Sequence, residues 1–283
     1  MLFDAHCHLD LPAFDDDRQA VIQRAIDAGI SSMIVAGYDP DGWHGIIDLT
    51  KKYSCIYGVL GLHPWALSQL CEQLGVASVE QRLPEWMREL DQLLTTPKIL
   101  GLGETGLDRS AGASKAPIDL QEGLLRRQTR LARKHSKPLV IHALRAVEAT
   151  RKVLESEGAQ EVGGMVHSYS GSAQEVGAWT AMGFYLSYGG PITYVGAKKA
   201  PAALAATPLD RLLLESDAPD QTPHPHRGSR NEPAYLGHVL QSAAEQVGIN
   251  EHRLAVICAS NTRSLFGLPD LASGSAPLEN DLT

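Results

Sequence analysis

Residues 2–10 read LFDAHCHLD: Leu2–Ala5 has the character of a short strand, and two histidines, His6 and His8, follow at once. The layout returns along the chain. Further short β-rich runs are predicted at Ser32–Val35, Ile56–Gly61, Ile99–Leu102, Leu139–Ile141, Met165–His167, Tyr185–Ser187 and Leu212–Leu214. Helical periodicity is predicted between them over Asp15–Ala28, Leu120–His135, Ala146–Glu157, Val176–Met182 and Pro233–Val247, and most of these segments stop at a glycine. One more helix, Asn250–Leu265, is expected to pack outside the strands. Eight strands, each followed by a mostly helical connection, is the count of a single (β/α)8 TIM barrel. A doubly wound open sheet is the competing fold, but it usually has only about five to seven strands.

The chain has 283 residues, which by length alone suggests two domains. Barrels, however, use roughly 250 residues as one domain. The expected organisation is one barrel over residues 1–267 and a frayed tail over 268–283, rich in Ser, Gly, Pro and acidic residues. Hydrophobic residues make up 43% and charged residues 20%, which excludes wholesale disorder. With 33 acidic and 25 basic residues the net charge is -8, which excludes a broad basic coat for nucleic acid. It leaves room for an enzyme whose positive charge is confined to its site. Cys7, Cys55, Cys71 and Cys258 form no CxxC pair and read as free thiols of a reducing compartment. MLFDAHCHLD has neither the basic nor the apolar region of a signal peptide, and no apolar run approaches the roughly 20 residues of a membrane span. The expectation is a cytoplasmic protein with no membrane partner. Its oligomeric state is left open, a monomer included.

Polar residues gather where the strands end. His6 and His8 follow the first, Glu104 the fourth, His142 the fifth and Asp217 the eighth, and His167 closes the sixth. In a barrel these positions share the C-terminal rim, where active sites lie. His6 and His8, two apart on extended chain, point to one side. Two imidazoles and a carboxylate hold a divalent cation and leave a position for water. Six candidate ligands exceed the needs of one open ion, so the economical arrangement is two ions about 3.5–4 Å apart with Glu104 between them. Water held there would lose a proton near neutral pH, and Asp217 is placed to take or guide it. Taken singly, these residues have plainer readings: Glu104 as a salt-bridged core carboxylate, Asp217 as a helix cap, each histidine as a satisfied rim residue. What favours a metal centre is their recurrence at five separate strand ends.

At these residues the chain resembles the TatD family of metal-dependent deoxyribonucleases, within the amidohydrolase-like barrels. The matching segments are FDAHCHLD, GLHPW, GLGETGLD, VIHALRA, VHSYSGS, LLLESDAPD, SRNEP and NTRSLFGL, and they span nearly the whole length. The branch with segments like GGPITY and SDAPD is the most similar. The resemblance implies that His6, His8, Glu104 and Asp217 hold one divalent ion and Glu104, His142 and His167 the other. Zn²⁺, Mn²⁺ and Mg²⁺ all suit this donor set. It further implies that His63 lies near the scissile phosphate, with catalytic and substrate-binding roles. The implied reaction is hydrolysis of phosphodiester bonds, 3′ to 5′, in single-stranded DNA.

The chain departs from the family pattern at Arg109, Leu144 and Ser216, which leaves open how substrate phosphates are held. Arg145 and Arg230 are the candidates for bidentate phosphate contacts. Glu215 is expected to support a ligand, Asn231 to cap a helix, and His224 and His226 to lie on a loop or touch substrate. One or two of Trp43, Trp65, Tyr169 and Tyr194 are expected to stack on bases. Cys7 should point into the barrel wall, and Lys198 and Lys199 either start a helix or attract phosphate. Rival functions are an amidohydrolase, lactonase or D-aminoacyl-tRNA deacylase with the same ions, or a non-catalytic barrel.

Overall fold

The computed structural model describes residues 2–269. Its strands are β1 (Leu2–Cys7), β2 (Ile30–Ala36), β3 (Ile56–Leu60), β4 (Ile99–Asp108), β5 (Leu139–Leu144), β6 (Gly164–Val166), β7 (Phe184–Tyr188) and β8 (Leu212–Leu214). They pair in parallel, in chain order, as one eight-stranded sheet. The helices between them are α1 (Arg18–Asp27), α2 (Trp43–Lys52), α3 (Pro64–Leu74), α4 (Val76–Leu93), α5 (Ile118–Lys134), α6 (Val147–Ser156), α7 (Val176–Ala181) and α8 (Lys199–Ala206), followed by α9 (Leu236–Val247) and α10 (Glu251–Leu265). This is the (β/α)8 barrel expected from the strand count. No helix among the described residues is long and apolar enough to cross a membrane.

The ring closes one step beyond β8. The Asp217 N–H donates to the His6 carbonyl at 2.9 Å and the His8 N–H to the Ala218 carbonyl at 2.7 Å. The buried Asp4 carboxylate ties the same seam, accepting the Ser216 N–H at 2.8 Å and its hydroxyl at 2.6 Å. Closing the barrel therefore sets His6, His8 and Asp217 beside one another.

One apolar cluster fills the barrel interior, with Phe3, Ala5, Ile34, Val140, Met165 and Leu213 among its members. A second, larger layer lies between strands and helices. Phe3 and Ala5 belong to the inner layer but Cys7 to the outer one. Strict alternation would keep all three on one face. A register shift between Asp4 and Cys7 in the β1–β2 ladder accounts for the change. The irregularity moves His6 and His8 to the inner face, the use to which bulges beside active sites are put. A similar shift between Leu102 and Thr105 flanks Glu104 in β4.

The sequence reading and the structure differ in places. β4 runs ten residues, so Glu104 lies within it rather than after it. α10 is not wholly outside the barrel: Ala259 and the following Phe266 join the inner cluster. α2, α3 and α4 lie outside the helices expected from periodicity, and α8 begins at Lys199, one of the two expected helix starts. α4 has a helical stripe at Val79, Leu83, Trp86, Met87 and Leu90, which the internal Pro84 obscures in sequence. The expected frayed tail falls mostly on residues 270–283, outside the described ones. Leu268 and Pro269 bond back to Arg263.

All four cysteines are unpaired and buried, and burial pushes each thiol above its ordinary range. A disulfide reagent at pH 8 is therefore expected to leave the native protein essentially unmodified and to titrate four thiols once it is unfolded, because only accessible thiolate reacts. Prompt reaction of a native thiol would contradict this packing.

Candidate metal centre

The six expected ligands converge at the C-terminal end of the barrel, and all are buried. Glu104 stands between two groups. Its Oε2 lies 3.2 Å from His6 Nε2 and 3.3 Å from His8 Nε2. Its Oε1 lies 2.7 Å from His167 Nε2 and 2.9 Å from His142 Nδ1. Asp217 Oδ1 completes the first group, 3.5 Å from His6 Nε2 and 3.7 Å from His8 Nε2. Gly106 makes room for β4 against β5: a Cβ there would lie 1.8 Å from the His142 carbonyl oxygen.

Hydrogen bonds behind the rings fix which nitrogen faces inward. His8 Nδ1 lies 3.0 Å from the Ala36 carbonyl, which can only accept, so the proton sits on Nδ1 and Nε2 presents a lone pair. His142 Nε2 faces Asp108 Oδ2 at 2.8 Å, so its Nδ1 presents the lone pair. These lone pairs point at carboxylate oxygens and at each other. His6 and His8 approach to 3.1 Å between Nε2 atoms, and His142 Nδ1 and His167 Nε2 likewise to 3.1 Å. Lone pairs facing carboxylates repel unless a positive charge lies between them, so the residues fit a pair of divalent cations.

The titration behaviour carries the same demand. Burial opposes charge on His8, but the Glu104 and Asp217 carboxylates raise it to about 9. His142 and His167 are raised too, against burial, by Asp108 and Glu104 for the first and by Glu104, Glu215 and Asp217 for the second. Burial would raise Glu104, yet the surrounding histidines hold it well below the usual carboxylate range. Without ions, protons supply the positive charge that this cluster requires.

His63 differs. Distance alone would admit it beside Glu104 and His142. Its Nδ1 accepts the Trp65 N–H at 2.9 Å, so Nε2 carries the proton and faces Glu104 Oε1 at 3.1 Å. Burial lowers its pKa to about 4. His63 is thus a neutral N–H donor at neutral pH, not a lone-pair ligand.

Asp217 sits in the left-handed region (φ +56°), as do Gln221 (φ +54°) and Ser168 (φ +40°). Few residues other than glycine settle there without support from their surroundings. Here the three are joined: the Gln221 amide donates to Asp217 Oδ2, and the Ser168 hydroxyl bonds Gln221 Oε1 at 2.7 Å. Glu215 accepts the Ser168 N–H at 2.6 Å and lies 3.4 Å from His167 Nδ1, behind that ring.

The other expected residues fall in different places. Arg145 is exposed and does not line the cavity above the centre. Arg230 does not line it either; both of its terminal nitrogens bond Asp17 at 2.8 Å, and its guanidinium lies over Phe14. Arg230 is thus turned to Asp17 rather than to the centre, while Arg145 stands exposed beside Leu144, a lining residue. Trp43 is a core residue whose indole N–H donates to the Gly61 carbonyl. Tyr169 is buried at the cavity wall, while Trp65 and the half-buried Tyr194 also line it. His224 and His226 stay away from the ligands; His226 stacks on Tyr235 and meets His238 at 3.1 Å. Asn231 caps no helix but staples the loop, donating to the Ser216 and Asp220 carbonyls. Cys7 points outward, its thiol donating to the Ile34 carbonyl. Lys199 opens α8 and lines the cavity.

Asp108 and Gln221 were missed. Asp108 had the same signal as the ligands, an acid at a strand end in GLGETGLD. It holds His142 and also accepts the Trp65 indole N–H at 2.7 Å. Asp108→Asn is expected to weaken metal affinity 10- to 100-fold, roughly the effect of losing a partner behind a ligating histidine. Metal titration by calorimetry checks this; unchanged affinity would show that Asp108 does not set the His142 lone pair.

Comparison with known proteins bears on this geometry. Residues 3–267 match the profile of the family described as TatD related DNase. The chain belongs to that family. This TatD-family protein is 36% identical over 267 residues to YabD of Bacillus subtilis, covering 94% of this chain and 99% of the relative. It is 32% identical over 268 residues to YjjV of Escherichia coli, covering 94% and 98%. Both are named uncharacterized metal-dependent hydrolases. The crystal structure of Escherichia coli YjjV, a TatD homolog, superposes with a TM-score of 0.83 at 30% identity over 95% of this chain and 98% of that one. With the ligand cluster in place, this TatD-family protein is a metal-dependent hydrolase.

Proposed function

We propose that the protein is a nuclease that hydrolyses phosphodiester bonds, removing nucleotides from the 3′ end of single-stranded DNA in the cytoplasm. The observation that carries this reading is the placement of Glu104, with one carboxylate oxygen toward each histidine group and the His63 N–H beside it. Two divalent cations against Glu104 and Asp217 leave the centre with excess positive charge. That suits an anionic phosphodiester better than a neutral ester or amide.

When bound, the ions supply Lewis acidity and lower the pKa of water. His6, His8, Glu104 and Asp217 would hold one, and Glu104, His142 and His167 the other. Asp217 is the general base, receiving a proton from the attacking water at a carboxylate whose other oxygen Gln221 keeps occupied. Burial favours the protonated form of Asp217, against the pull of the neighbouring histidines. His63 donates its Nε2 proton in a hydrogen bond to a phosphoryl oxygen, where charge grows in the transition state. Staying neutral, it offers this N–H without drawing a proton from solvent.

The test incubates the protein with Mg²⁺, Mn²⁺ or Zn²⁺ and a 5′-labelled single-stranded oligonucleotide, alongside an aminoacyl-tRNA and a small ester. Stepwise shortening from the 3′ end, abolished by chelator, supports the reading. Intact DNA with every ion, together with hydrolysis of either acyl substrate, overturns it.

A further inference from the structure

The cavity over the candidate centre encloses about 590 Å³, the size of a pocket for one compact ligand. Tyr38, after β2, and Trp65, at the start of α3, face it from one side of the rim. Pro191, Ile192 and Tyr194, after β7, line it from across the ring. Flat apolar surfaces on opposite arcs suit a nucleobase.

Charge in this cavity is sparse. Among the described residues, and apart from the centre itself and Asp220, its only charged lining residue is Lys199, and no arginine lines it. Lys199 is exposed and has no carboxylate within salt-bridge distance among the described residues. Of the nearby cations, Arg230 is paired with Asp17 and Arg227 lies 3.8 Å over the Tyr194 ring, while Arg145, beside the lining residue Leu144, is exposed and does not itself line the cavity. A long nucleic acid strand is normally held by a row of lysines and arginines along its phosphates. This site presents one ammonium group at the wall of a compact cavity. The charge of the scissile phosphate is met at the floor, by the centre. Lys199 therefore has no anion of its own unless the substrate carries a second.

We propose that Lys199 is a specificity-determining residue that binds a second phosphate, away from the cleaved bond, on the terminal dinucleotide of the substrate seated in the cavity. The inference rests on the phosphodiesterase reading and adds to it which part of the substrate is read. A substrate with that extra phosphate is selected over one without it, and contacts with a longer strand add little.

The experiment uses the metal-loaded full chain and Lys199→Met, with Lys199→Arg as the conservative control. The substrates are the dinucleotide dTpdT, pdTpdT with an added 5′-phosphate, and dTpdTp with an added 3′-phosphate. The wild type is expected to show a KM about tenfold lower for one phosphorylated dinucleotide than for dTpdT, the usual scale of one charge-assisted hydrogen bond. Lys199→Met should raise that KM about tenfold, leave kcat and the KM for dTpdT unchanged, and be rescued by Lys199→Arg. Calorimetry supplies a readout without turnover: thymidine 3′,5′-bisphosphate against the two monophosphates. The wild type should bind the bisphosphate about tenfold more tightly than either, and Lys199→Met should lose that preference. Equal binding of the three by the wild type, or a preference that survives Lys199→Met, overturns the proposal even if DNA is cleaved. A Lys199-dependent preference with neither a dinucleotide nor the single-stranded oligonucleotide hydrolysed keeps the anion contact and removes the phosphodiesterase reading.

Discussion

Glu104→Gln is expected to lower kcat/KM by roughly 10³-fold or more and to remove at least one ion per chain. Among the described residues, Glu104 is the only side chain within 3.3 Å of nitrogens from both histidine groups. An amide in its place keeps one acceptor oxygen and turns an N–H₂ toward the other group. That group then faces a donor where a cation needs a ligand. An ion contributes several kcal/mol to stabilising a phosphoryl-transfer transition state, and each 1.4 kcal/mol or so is a factor of ten in rate. Elemental analysis beside steady-state kinetics checks the prediction. A variant with full metal content and wild-type rate would remove Glu104 from the centre.

Asp217→Asn separates ligand from base. Asp217 Oδ1 lies nearest the His6–His8 group, at 3.5 and 3.7 Å, with His167 Nδ1 at 3.9 Å behind, and all of these contacts are longer than those of Glu104. Metal content should therefore fall less than in Glu104→Gln, while kcat falls by about 10²- to 10⁴-fold, the usual worth of a general base. The pH profile gives the sign. A base must be ionised, so the wild-type rate climbs with pH until Asp217 has lost its proton and then levels. Burial pushes that pKa up and a bound cation pulls it down, so the position of the limb reports the loaded centre while its presence reports Asp217. Asparagine cannot titrate, so the climb assigned to Asp217 should vanish from the variant. An unchanged acid limb in Asp217→Asn would move the base elsewhere.

The layout strand, then polar residue, was enough to find six candidate ligands, because a barrel turns strand order into a ring whose ends meet. It could not show how they are aimed. His6 and His8 reach the inner face through a shift of register against β2, a property of the ladder rather than of either residue. Lone-pair direction was also hidden. It depends on Ala36 and Asp108, contacts 28 and 34 residues away along the chain. Arg230 shows the opposite failure. In SRNEP it looked free for phosphate, and its partner Asp17 lies 213 residues earlier. Such distant pairs decide whether a cation is available, and one sequence does not reveal them. Gln221 had no signal of its own; the left-handed turn that brings it onto Asp217 is visible only in the backbone.

The central claim is a two-ion centre spanned by Glu104, and anomalous diffraction from a crystal of the metal-loaded protein tests it most directly. Two peaks per chain are expected. One should lie among His6, His8, Glu104 and Asp217, the other among Glu104, His142 and His167, with His63 bound to neither ion. A single peak that leaves either histidine group empty, or an ion on His63 Nε2, would contradict it.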